Sequence, residues 1–134
     1  MFEKMCAYAP PGDAEASTAL LYVGYGSYRF VSYPAYSYLR GSRFYLYAQG
    51  FDGVYAVGFD DGLPDYAVLF DSPGDDVFEN VQTTHGELRR AIGSTSGFID
   101  FDDATIVGSA GGINLLKLGA IDYALHQVGT WTPA

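Results

Sequence analysis

One cysteine, one tryptophan, two histidines and seven cations are all that this chain of 134 residues offers in those classes. Cys6 has no partner for an internal disulfide, which fits a reducing compartment. One cysteine and two histidines are also too few for a zinc site made of those ligands alone. No stretch approaches the ~20 consecutive apolar residues of a membrane-spanning helix. The N-terminal run from Met1 to Pro11 lacks a basic segment followed by an apolar one, so no secretory leader is expected and a cytoplasmic setting is. Lysine occurs only as Lys4 and Lys117, beside Arg29, Arg40, Arg43, Arg89 and Arg90. The formal net charge of −9 repels nucleic-acid phosphates and anionic membrane surfaces, which excludes both as direct partners.

Chemistry-bearing motifs are equally scarce. The glycine-rich run Gly108 to Gly112 has the strand-to-helix context of a phosphate cradle, but it is not G-x-G-x-x-G and no P-loop lysine follows. The aspartate-rich loops 60–65, 71–76 and 100–103 lack the spacing and closing glutamate of a calcium loop. No serine sits in a nucleophile elbow. Asp122 and His126, spaced i, i+4, could form a base with its orienting group on a helix, and Lys117 falls in an apolar arc where its pKa could be depressed. Neither is assigned a role. No catalytic residue, cofactor or metal site is assigned.

Tyrosine and aspartate are what the chain has in quantity. Nine of its twelve tyrosines lie between Tyr22 and Tyr55. Tyrosine joins an apolar ring to a polar tip and suits a half-wet sheet face or a contact surface. From Phe44 to Leu88 there is no lysine or arginine, yet nine acids occur. A field of one sign steers cationic partners. Most of these acids also stand at turns, where aspartate is favoured on local grounds.

The length fits a single domain over 1–134, with residues 1–17 as a loose arm. Strands are expected at Thr18–Tyr25, Tyr28–Tyr33, Phe44–Gln49, Val54–Phe59 and Tyr66–Phe70, and around Asp102–Asp103. Gly24, Gly26 and Ser27 suit a hairpin turn, and Gly50 to Gly53 suits another joining Phe44–Gln49 to Val54–Phe59. Residues 34–40 read as a helical turn opened by Pro34, with an edge strand as the alternative. Ser72-Pro73 followed by Val77, Val81, Leu88 and Ile92 predicts a helical segment over 73–92, and Ile113 to Val128 predicts a broad-faced C-terminal helix. No internal repeat is legible. The expected fold is therefore α+β: an antiparallel, tyrosine-rich sheet of about five or six strands covered by two helical segments.

The expected function is non-catalytic: an acidic protein that binds and blocks or modulates a basic protein partner, as an immunity protein or a phage-encoded inhibitor of host defence would. The contact residues expected are Asp52, Asp60, Asp61, Asp65, Asp75 and Asp76 with Tyr36, Tyr38, Tyr45, Tyr47 and Tyr55. A structural subunit of an oligomer or virion is the alternative, and a small enzyme or ligand-binding module using Asp122, His126 and the Gly108 turn is the second.

Overall fold

The computed structural model describes residues 3–8 and 17–134, and it is all-β. Its strands run β1 (Glu3–Tyr8), β2 (Thr18–Tyr22), β3 (Arg29–Ser32), β4 (Tyr36–Arg40), β5 (Phe44–Gln49), β6 (Gly53–Val57) and β7 (Tyr66–Phe70). They continue as β8 (Val77–Gln82), β9 (His85–Arg89), β10 (Thr95–Ile99), β11 (Asp103–Gly108), β12 (Leu115–Lys117), β13 (Ala124–Gly129) and β14 (Thr132–Pro133). They form two seven-stranded sheets, β1-β5-β4-β3-β7-β11-β13 (sheet A) and β14-β12-β8-β9-β10-β6-β2 (sheet B).

The chain alternates between the sheets like a coil. β2, β6 and β10 lie parallel in sheet B, and β3, β7, β11 and β13 lie parallel in sheet A. A parallel pair needs a long return path, commonly a helix. Here a strand of the opposite sheet supplies that path, so no helix is required. Two hairpins widen the coil: β4–β5 extends sheet A, and β8–β9 sits between β10 and β12 in sheet B. Phe30, Leu39, Ala67, Leu69, Ala104 and Ile106 from sheet A meet Ala56, Phe78, Leu88 and Phe98 from sheet B in one buried core.

The coil contains a repeat that reading along the chain missed. Arg29 is in register with Tyr66, and Tyr66 with Asp103, two steps of 37 residues. Pro64-Asp-Tyr-Ala67 and Phe101-Asp-Asp-Ala104 repeat a short pattern at that spacing, and Ile121-Asp-Tyr-Ala124 echoes it one register position out of step.

The expected helices are absent among the described residues, so the α+β expectation is corrected to all-β. Residues 77–89 form the β8–β9 hairpin, in which Phe78 and Leu88 are directly paired and fully buried. Val81 and Ile92, placed on the buried face of the expected helix, are 49% and 57% exposed. Residues 113–128 form β12 and β13. Of the expected apolar arc only Leu116 is buried, whereas Ile113, Leu118 and Val128 are exposed. The segment instead completes the parallel ladder of β11, from Asp103 with Ala124 to Gly108 with Gly129.

Three turn assignments change as well. β5 and β6 exist as expected, but they belong to different sheets, so Gly50–Asp52 is a crossover and not a hairpin loop. The same holds for β2 and β3. Residues 36–40 are strand β4, the alternative reading, with Pro34 just outside it. Of the expected N-terminal arm, Glu3–Tyr8 lies along β5, while residues 9–16 are outside the described residues.

Coil corners expose backbone N–H groups that no ladder satisfies, and aspartates accept them. Asp76, fully buried, accepts from Ser72 N (2.6 Å), Ser72 Oγ (2.7 Å) and Ala91 N (2.7 Å). Asp71 accepts from Ser109 N, Ala110 N and Asn114 Nδ2 at 3.0–3.1 Å. Removing such an acceptor strands several buried donors at ~1–3 kcal/mol each. Asp76→Ala is expected to destabilise by about 3 kcal/mol or more in urea titration, whereas Asp60→Ala, at an exposed loop position, is expected to cost less than about 0.5 kcal/mol.

Candidate functional site: a tyrosine-lined sheet face

Strict alternation along β3, β4 and β5 sends Phe30, Ser32, Ser37, Leu39 and Ala48 inward. It leaves Val31, Tyr33, Tyr36, Tyr38, Tyr45 and Tyr47 on the outer face of sheet A. Tyr38 is directly opposite Tyr47, and Val31 continues that row to Val68 of β7. The rings form a continuous stack. Phe70 lies 4.5 Å from Tyr33 (ring centroids, 10° between planes), Tyr33 is 4.9 Å from Tyr36, and Tyr36 is 5.6 Å from Tyr47. A second pair, Tyr38 and Tyr45, stacks at 5.6 Å. Neighbouring rings hold one another in place, which stiffens the face. Burial and the adjacent tyrosines push the hydroxyls of Tyr33 and Tyr45 above the ordinary value. β3, β4 and β5 contain no carboxylate, in a chain with sixteen acids. Arg29 and Arg40 close the face at one end.

Four of the five expected tyrosines are thus brought together, and Tyr33 and Phe70 join them. Tyr55 is not part of the group. It lies on the outer face of sheet B, covers Gly97 and donates from its hydroxyl to Glu87 at 3.2 Å. Burial and Glu87 push its pKa up to about 12.

The expected acids do not form one docking face. Asp65 and Asp76 are fully buried. Asp52 accepts Ser17 N (3.0 Å), Asp75 accepts Ile113 N (2.8 Å), and Asp61 accepts Gly26 N and Leu63 N at 2.7 and 3.0 Å. Those bonds hold the Asp61 carboxyl below its ordinary value. Only Asp60 of the six is an exposed carboxylate with no such bond among the described residues.

The other candidates have structural explanations. The Gly108 turn does present backbone N–H groups, and the chain's own Asp71 carboxylate fills that cradle. Asp122 and His126 are not a helical pair: His126 Nε2 meets Asp103 Oδ2 at 2.9 Å on the neighbouring strand. Lys117 is exposed on β12, in register with Glu79. Among the described residues no group of three His, Cys, Asp or Glu side chains could hold a metal ion, and no helix is long and apolar enough to cross a membrane.

The chain matches no known protein family, no curated protein and no solved structure. Its function must therefore be read from its own surface.

One carboxylate stands out electrostatically. Asp65 Oδ1 accepts Tyr28 N (2.9 Å), and the Asp65 N–H donates to Asp102 Oδ2 (2.9 Å), which links three coil turns. Its Oδ2 is buried without a hydrogen-bond partner. Burial raises its pKa to about 6, with the Asp102 and Asp61 charges adding to the shift. The folded state therefore binds this proton more tightly than the unfolded chain. The stability it contributes is present below pH ~4 and is lost as pH rises to about 6. Asp65→Asn keeps the acceptor for Tyr28 and removes the charge. Urea unfolding should show it more stable than the parent at pH 7, by on the order of 1–2 kcal/mol, with the difference vanishing near pH ~4.

Proposed function

We propose that this chain is a non-catalytic binding protein that engages another protein through the tyrosine-lined outer face of sheet A. The observation that carries this reading is the stacked, carboxylate-free group Tyr33, Tyr36, Tyr38, Tyr45, Tyr47 and Phe70. Tyrosine supplies large contact area at low rotamer cost and is enriched where proteins meet. Stacking has already restricted these rings, which lowers the ordering cost of association.

The net charge of −9 favours a basic partner at long range. At contact, an arginine or lysine of that partner laid over a tyrosine ring adds ~0.5–1 kcal/mol. Blocking or modulating such a partner, in the manner of an immunity protein or a phage-encoded inhibitor, follows from occupying its basic surface. A cytoplasmic setting, of a cell or an infected host, belongs to the same reading and rests on the single unpaired Cys6.

The double variant Tyr36→Ala, Tyr47→Ala should keep the parent's far-UV circular dichroism and lose at least about tenfold in affinity for the captured basic protein, measured by calorimetry. Raised salt should slow association more than it speeds dissociation. Unchanged affinity in the double variant would remove the tyrosine face as the contact surface.

A further inference from the structure

A second surface, adjoining the tyrosine face at its arginine end, carries opposite charges side by side. It is the end of the sandwich where β3, β7, β11 and β13 begin and β4 finishes. One hollow there is basic, lined by Ser27, Tyr28, Arg29, Arg40, Gly41 and Tyr66. The other is acidic, lined by Asp60, Asp100, Asp102 and Asp122 with Phe59 and Leu63. The strand register sets Arg40, Arg29 and Tyr66 side by side on β4, β3 and β7, and β7 adjoins β11, whose preceding turn carries Asp100 and Asp102. Among the described residues, none of Arg29, Arg40, Asp60, Asp100, Asp102 or Asp122 forms an internal ion pair. The same end exposes apolar surface: Tyr25 is 83% exposed and packs edge-on against Phe59 at 5.0 Å, and Leu63 and Tyr66 stand open beside them. Exposed aromatics next to unpaired charge are the composition of a contact site and not of ordinary solvated loops.

We propose that this end is the interface of a two-fold symmetric dimer of the chain, with Arg29 and Arg40 of each copy facing the acidic hollow of the other and Tyr66 close to the axis. A wholly basic partner would fit the acidic hollow and be repelled by the arginines of the basic one, and a wholly acidic partner would meet the reverse. A surface that presents both charges side by side is supplied by a second copy turned through two-fold symmetry. An isologous contact of this kind sets each patch against its complement twice.

The test is charge reversal read by size-exclusion chromatography with light scattering. The parent should be dimeric at physiological ionic strength, where the −9 charges of the two copies are screened at long range while the facing patches are in contact, and shift toward monomer at high salt. Arg29→Asp with Arg40→Asp should be monomeric, and so should Asp60→Arg with Asp122→Arg. Mixing the two variants in equal amounts should restore a heterodimer, because the unreversed arginines and acidic hollow pair as in the parent while the two reversed arginine sites face the two reversed aspartate sites. Circular dichroism checks that each variant folds. If a reversal fails to fold, Arg40→Gln and Asp122→Asn should each still weaken the dimer about tenfold. A parent that is monomeric at physiological ionic strength overturns the proposal, as does a dimer that survives the reversals or a mixture that stays monomeric. Tyr36→Ala with Tyr47→Ala should leave the dimer intact, so this surface and the tyrosine face stand or fall separately.

Discussion

Aspartate carboxylates accepting backbone N–H groups across neighbouring turns are the interaction on which the structure depends. A chain that crosses repeatedly between two sheets must turn many corners, and each corner leaves donors outside the strand ladders. A helix end would cap such donors once, whereas this coil needs caps at every turn. Asp65 reaches Tyr28, Asp102 reaches Asp65, Asp71 reaches Ser109 and Ala110, and Asp75 reaches Ile113. The acidity that looks like a docking signal in the sequence is therefore, for most of these residues, a means of joining successive turns.

Arg90 shows the same logic with the sign reversed. Its guanidinium is almost fully buried, yet its N–H groups reach Phe70 O, Ser32 O and the hydroxyls of Ser94 and Ser96. Burial lowers its pKa to about 10, against which the nearby Asp76 and Asp71 hold it up, so it remains charged at neutral pH. Ser32 and Phe70 lie at the ends of β3 and β7, just where Tyr33 and Phe70 start the aromatic stack. The buried arginine thus fixes the backbone beneath the outer tyrosine face, and the core and the proposed contact surface share one support.

Strand positions were legible at Thr18–Tyr22, Arg29–Ser32, Phe44–Gln49, Gly53–Val57 and Tyr66–Phe70, because alternation or a short β-rich run survives in the residue string. Tyr45 and Tyr47 announce a two-residue period that any sheet must honour, whereas Tyr36 and Tyr38 show the same period behind Pro34, which suits a helical turn and made the strand only the alternative reading. Partners were not legible. Phe44–Gln49 and Val54–Phe59 look like a hairpin because a four-residue glycine-containing link fits one, and nothing local tells such a link from a crossover between sheets. The helices failed for a related reason. Residues 113–128 present apolar side chains at intervals that suit a helix, but each parallel strand gains its stability from the ladder beside it. β13 takes its form from β11, and that pairing has no local signature. The 37-residue recurrence of Asp-Tyr-Ala and Asp-Asp-Ala was the one available clue, too short and too degenerate to register as a repeat.

By itself the sequence determined the chemical inventory: no disulfide, no zinc set of cysteine and histidine, a strong negative charge, and a tyrosine-rich half. Those follow from composition and hold in any fold. Which aspartates would be buried as backbone acceptors, which tyrosines would share a face, and where arginine would come to lie beside acid were decided by the tertiary structure alone. Each depends on which strand lies next to which, and in a parallel coil that neighbour is tens of residues away. The tyrosine stretch met as one block in the sequence is accordingly divided by the fold: Tyr33, Tyr36, Tyr38, Tyr45 and Tyr47 on sheet A, and Tyr22 and Tyr55 on sheet B.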